Sequence, residues 1–178
     1  MGSSRESRSR WAALQRGAVA LGVLAVVGCT SDSEPESGTV GQENAYVAIV
    51  RWEIEQSEPV VDDDGDVEVP VIYLAAGSGE TVDVGVQASV VATVDDAAII
   101  RFADQAADAL DEGAVGEPVK DDGVLVIIDE FEAGQPTADA RVSRYRSIDD
   151  DTTWILELTA TDAGVDVTEA VEVSDATT

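Results

Sequence analysis

Cys29 is the single cysteine among 178 residues, so no disulfide can form within this chain. Whatever it folds into must rest on burial of apolar side chains. Histidine is absent altogether, which excludes catalytic triads, Cys–His dyads, imidazole acid–base chemistry and His-containing zinc sites. The charge balance is the second constraint. Ten basic residues face 37 acidic ones, a net charge of −27. Such a chain repels nucleic acid and anionic lipid headgroups alike.

The first 28 residues have the three-part pattern of an export signal. Arg5, Arg8, Arg10 and Arg16 outnumber Glu6, and residues 17–27 form an uncharged apolar run. At 1.5 Å per residue this run covers only about 17 Å, too short for a roughly 30 Å hydrocarbon core. An ordinary signal peptide and an uncleaved anchor are the alternatives; the first makes Cys29 a coincidence and the second needs a longer span. No Arg-Arg pair marks a twin-arginine route. The junction Val26-Val27-Gly28-Cys29 resembles the lipobox of bacterial lipoprotein precursors. That resemblance implies a thioether-linked diacylglycerol on Cys29, cleavage before it and acylation of the new amino terminus. Two or three acyl chains anchor stably where one binds marginally. The expected location is the outer face of the bacterial plasma membrane.

Cleavage before Cys29 leaves 150 residues, enough for one domain with its own core. Four arginines and one glutamate depart with the leader, so 6 basic residues remain against 36 acidic, a net of −30. The acyl chains, not charge, must then hold the protein at the membrane. Cys29 and residues 30–43, polar and rich in Gly, Ser and Glu, read as a flexible tether spanning roughly 20 Å. Residues 44–173 read as one globular domain and 174–178 as a short tail.

Within the domain, Asn44 is a candidate N-cap for a helix to about Gln56. Tyr46, Ile49, Val50 and Ile54 form its apolar stripe, with Arg51 and Glu55 at i, i+4. Pro59 and the run Asp62–Asp66 predict a loop, and residues 69–74 a short buried strand. Residues 82–94 fit both periods; the turn at 77–80 favours a helix with Val86, Val90, Val91 and Val94 inward. Residues 98–102 predict a strand. A short helix from Asp104 through Leu110 follows, with Ala107 and Leu110 inward and Gly113 ending it. Residues 124–128 are the most apolar run after the leader and predict the central strand. Segments 138–147, 153–161 and 165–173 predict an antiparallel meander with acidic turns. The class is therefore α+β, with helices packed on one face of a mainly antiparallel sheet and a C-terminal three-strand meander.

This order resembles small uncharacterised secreted lipoproteins of actinobacteria. The likeness rests on the lipobox, the polar tether, residues 99–104 (Ile-Ile-Arg-Phe-Ala-Asp), residues 121–125 (Asp-Asp-Gly-Val-Leu) and a tryptophan-bearing C-terminal strand. It implies a location and a fold class, and no reaction.

The acidic segment 62–68 is the sharpest cofactor candidate. Asp62, Asp64, Asp66 and Glu68 around Gly65 supply the clustered oxygens that calcium wants. With Gly65 at the glycine position of an EF-hand loop, Val60 and Val71 fall where the first and last acids belong, so only a non-EF calcium loop survives. A solvated turn is the plain alternative there, and for Asp149–Asp151. Arg144 and Arg146, two apart on a predicted strand, share one face and are candidates for an anionic ligand or an envelope protein partner. Neutralisation of cross-strand acids such as Glu157 is the competing reading. Carboxylate pairs are the only acid–base device left, as in glycan hydrolysis, but with 36 acids some pair must lie close by chance. The sequence thus points to a non-catalytic binding or interaction module. A calcium-binding surface domain and a carboxylate-dependent glycan hydrolase are the alternatives.

Two outcomes test these expectations. Cys29→Ala should leave an unprocessed precursor by mass spectrometry, while the natural chain carries acyl mass. Calcium at 100 times its dissociation constant should add about 2.7 kcal/mol of stability in a thermal melt, an increment abolished by Asp64→Asn and absent with magnesium at equal ionic strength. Equal small shifts with every salt would reduce the segment to a solvated turn.

Overall fold

A computed structural model describes residues 38–57, 60–61, 67–129 and 131–173. The leader, Cys29 and the residues between Cys29 and Gly38 therefore lie outside the described residues, as do Asp62–Asp66 and the tail. The described residues all belong to one unit, Ser33–Thr178. Among them, no helix is long and apolar enough to cross a membrane.

Among the described residues, eight strands and two α-helices give the expected α+β class. A six-stranded sheet runs in the order β4-β3-β5-β6-β7-β8, from β3 (Val71–Ala76), β4 (Ile99–Phe102), β5 (Val124–Ile128), β6 (Thr137–Ser147), β7 (Asp150–Thr161) and β8 (Gly164–Val173). The meander is present and begins one strand earlier than expected, because β5 already pairs antiparallel with β6. Both β4 and β5 flank β3 in parallel. Separately, β1 (Val60–Val61) and β2 (Val67–Glu68) form a short antiparallel pair on either side of the acidic run.

The side-chain period of two decides which residues meet the helices. Ile72 and Leu74, Val124, Val126 and Ile128, Ala140 and Val142, and Leu156 and Leu158 bury one face of the sheet against α1 (Gln42–Gln56) and α2 (Val84–Val94). Trp52 of α1 meets Trp154 of β7 edge to face, with ring centroids 5.5 Å apart. Alternate residues Tyr73, Ala75 and Leu125 point to the other face, where Ala103, Ala109 and Val119 cover them. β5 is therefore buried on both sides, as its unbroken apolar run requires.

The helix α1 starts two residues before the expected Asn44 cap. Gly41 is the N-cap and offers no side-chain hydrogen bond. The start is set by tertiary packing: Val40 is fully buried, receives an N–H from Gly134 (2.9 Å) and donates its own to Gln135 (2.7 Å). Ser57 ends the helix by donating its hydroxyl to the Glu53 carbonyl (2.9 Å). Arg51 and Glu55 share the exposed face, yet no ion pair closes between them. Residues 84–94 are helical, with Val86, Val90 and Val94 inward and Val91 exposed. The Asp83 carboxylate caps this helix by accepting the Gly85 N–H at 2.7 Å. The expected helix at 104–110 is only one 3₁₀ turn, Ala106–Ala109, with a Gln105/Asp108 capping box. Its tighter period turns Ala109 inward and leaves Ala107 exposed and Leu110 half-buried.

Candidate functional site

The parallel strands β3 and β5 lie side by side and end together at Ala76 and Ile128. Chain leaving β3 passes through α2 to β4 on one flank, while β5 occupies the other. At such a reversal of strand order a crevice opens beyond the carboxyl ends of the strands. Here it is a cleft of about 560 Å³. Glu80 and Asp83 come from the β3–α2 connection, Asp129 from the end of β5, Tyr46 from α1, and Phe131 from just beyond β5.

Gly77 positions Asp129. Its N–H donates to the Ile128 carbonyl at 2.8 Å, and a Cβ built there would stand 1.9 Å from Asp129 Oδ1. Only a residue without a side chain lets the carboxylate lie so close to the backbone. On its other side, Asp129 Oδ2 sits 3.7 Å from Arg141 Nε. Tyr46 is buried among the helices and strands, and this burial pushes its phenol pKa up. Among the described residues, no Lys or Arg lines the cleft. The positive N-terminus of α2 is already occupied by Asp83, which leaves no nest there for a phosphate. Among the described residues, no three Asp, Glu, Cys or His side chains are grouped to hold one metal ion. What the cleft brings together is three carboxylates, Glu80, Asp83 and Asp129, with the aromatic residues Tyr46 and Phe131.

Arg144 and Arg146 share the helix-facing side of β6, as their spacing predicts. Arg144 Nε lies 2.9 Å from Glu53 Oε1 and its Nη1 3.6 Å from Asp150 Oδ1, so its partners come from α1 and the β6–β7 hairpin rather than Glu157. Glu157 instead accepts a hydrogen bond from the Thr168 hydroxyl (2.7 Å). Glu53 is the functional-grade residue that sequence reasoning missed. Its side chain is only 1% exposed, and Oε2 and the Nε of Arg146 are buried without hydrogen-bond partners. Burial raises the Glu53 pKa, against the opposing pull of Arg144 and Arg146. The signal was present: Tyr46, Ile49, Val50 and Glu53 continue one helical stripe.

The remaining candidates fall elsewhere. Glu68 is exposed on β2, while Asp62, Asp64 and Asp66 lie outside the described residues. On the sheet face away from the helices, Arg101 donates to the Tyr73 hydroxyl (2.7 Å), which donates to Asp121 (2.9 Å). The Tyr73 hydrogen bond and the paired Arg101 guanidinium hold the Asp121 carboxyl below its usual range. Lys120 spends its ammonium on the Asp108 carbonyl (2.7 Å).

The Glu53 geometry gives a signed pH dependence. Burial places the folded pKa above the ordinary glutamate value, so between the two the native state holds a proton that the unfolded chain has released. Its contribution to stability is therefore lost as pH rises through that window and regained as pH falls. Glu53→Gln removes the titration. The melting temperature of the natural protein minus that of the variant should climb from pH ~8 to pH ~4; a flat difference would contradict the assignment. Arg144→Ala should cost about 3 kcal/mol near neutral pH by leaving a buried charge unpaired. No family model, no curated protein and no solved structure matches this chain.

Proposed function

We propose that this chain is a non-catalytic binding module, held at the outer face of the bacterial plasma membrane by lipid on Cys29, whose cleft receives a small organic cation. The observation that carries the reading is the lining of the cleft between the ends of β3 and β5. Three carboxylates, Glu80, Asp83 and Asp129, stand with Tyr46 and Phe131, and among the described residues no cationic side chain joins the lining. Carboxylates and aromatic faces together attract ammonium and guanidinium groups, and cation–π contact strengthens where water is excluded. The anchor rests on the apolar run 17–27 followed by Cys29. Binding is favoured over catalysis because the chain offers no imidazole, and its single thiol is assigned to the lipid.

The test is a calorimetric titration of the full chain in a non-ionic detergent with choline and with arginine amide, against potassium chloride at matched ionic strength. Saturable one-to-one binding of at least one organic cation is expected, weakened about tenfold by Asp129→Asn, equivalent to about 1.4 kcal/mol. Heats that match potassium chloride, or an affinity untouched by Asp129→Asn, would remove the cleft from consideration. Far-UV circular dichroism of the variant separates lost binding from lost fold.

A further inference from the structure

The sheet ends at β8. This strand pairs with β7 along its length, and among the described residues nothing pairs with its outer side. Its ten residues contain neither proline nor lysine, two of the usual guards on a free edge. The register shift between Glu157 and Leu158 is the one irregularity: it drops Thr168 from the Cα register with β7, while the Thr168 hydroxyl still bonds Glu157. An edge of this length presents a row of backbone donors and acceptors to any extended chain.

A groove runs beside it. Ala48 and Trp52 of α1 and Val165 and Val167 of β8 bound a space of about 320 Å³. Their side chains are buried or half-buried, while the other groove residues Arg51, Glu55 and Asp166 are exposed. A strand added to β8 would send every second side chain toward the helix side of the sheet and this groove, with apolar walls at Trp52 and Val167 and a charged rim at Arg51, Glu55 and Asp166. The alternate side chains would extend the opposite face. There Asp139, Glu157 and Glu169 stand directly opposite one another across β6, β7 and β8. Like charges in cross-strand register are unfavourable, and a cation at the next position in the row relieves them.

We infer that β8 receives a basic, extended segment of a partner protein as a seventh strand, with apolar residues alternating with Lys or Arg. The unpaired edge supplies the backbone contacts, the groove takes the apolar side chains, and the acidic row selects the sign of the rest. A second copy of this chain is the disfavoured occupant, because edge-to-edge pairing would set Asp166, Glu169 and Glu172 against the same acids. This surface is separate from the cleft and stands whether or not the cleft binds a cation.

The probe is an N-acetylated octapeptide of alternating Lys and Val, presented to the full chain in non-ionic detergent. Two controls accompany it: the same peptide N-methylated at alternate backbone positions, and its Glu/Val counterpart. Fluorescence anisotropy reads affinity and amide hydrogen exchange reads location. The expected result is binding of the Lys/Val peptide with slowed exchange confined to residues 164–173. Binding should be at least tenfold weaker for the N-methylated peptide and undetectable for the Glu/Val peptide. The double variant Glu169→Lys, Glu172→Lys changes only exposed positions and should also weaken binding at least tenfold. Equal affinity for the N-methylated peptide would reduce the effect to charge attraction and overturn the inference. So would protection at β4 or around the cleft in place of β8, or a protein already dimeric through β8 before peptide is added.

Discussion

β5 is paired on both edges, in parallel with β3 and antiparallel with β6, and the rest of the molecule takes its place from that strand. Five apolar residues fill it, so neither face can meet water without cost. Val124, Val126 and Ile128 fix the side on which α1 and α2 must lie, and Leu125 the side that the segment carrying Ala103, Ala109 and Val119 must cover. The parallel edge requires a crossover, and the chain between β3 and β5 makes it through α2, β4 and the segment 103–123. The antiparallel edge needs only short turns, and the chain meanders outward to β8, the last strand of the sheet among the described residues. Cleft and free edge are thus two consequences of one strand's pairing.

A fold without disulfides carries a buried charge pair, and its energetics are not those of a simple stabiliser. Glu53 and Arg144 are 91 positions apart in sequence and bring the C-terminal half of α1 against β6. Taking both charges out of water costs several kcal/mol per ion before their attraction offsets it. The raised pKa of Glu53 says that desolvation outweighs its cationic neighbours. The contact ties one seating of α1 to the sheet, because it brings the buried Glu53 carboxylate against the Arg144 guanidinium. Ser57 adds its hydroxyl to the same carboxylate at 3.4 Å, so the stop signal of the helix and its buried charge are one unit.

Elements defined by local pattern were legible; those defined by long-range placement were not. The meander followed from alternation, and α2 from the turn before it. Gly41 as the start of α1 could not be read, because Val40 is held by residues 134 and 135, far along the chain. Ala109 replaced Ala107 as the inward residue because a 3₁₀ turn has a shorter period than the helix assumed. The cleft was invisible for a topological reason. Glu80, Asp83 and Asp129 meet only because β3 and β5 run parallel, and apolar runs of five or six residues carry no mark of direction. Gly77 looked like an ordinary turn glycine; its closeness to Asp129 exists only in three dimensions.

Charge alone cannot distinguish the two surfaces. A chain with a formal net charge of −27 attracts cations in general, an attraction screened within about 8 Å at physiological salt. Discrimination must come from what charge does not provide. In the cleft that is a pair of aromatic rings and a carboxylate fixed against Gly77, a geometry suited to a compact cation. At β8 it is a ladder of backbone groups beside a groove bounded by Trp52 and Val167, a shape that fits an extended chain better than a compact cation. On the proposed reading, the acidic surface sets which sign of ligand arrives, and the pairing of β5 sets where each shape can stay.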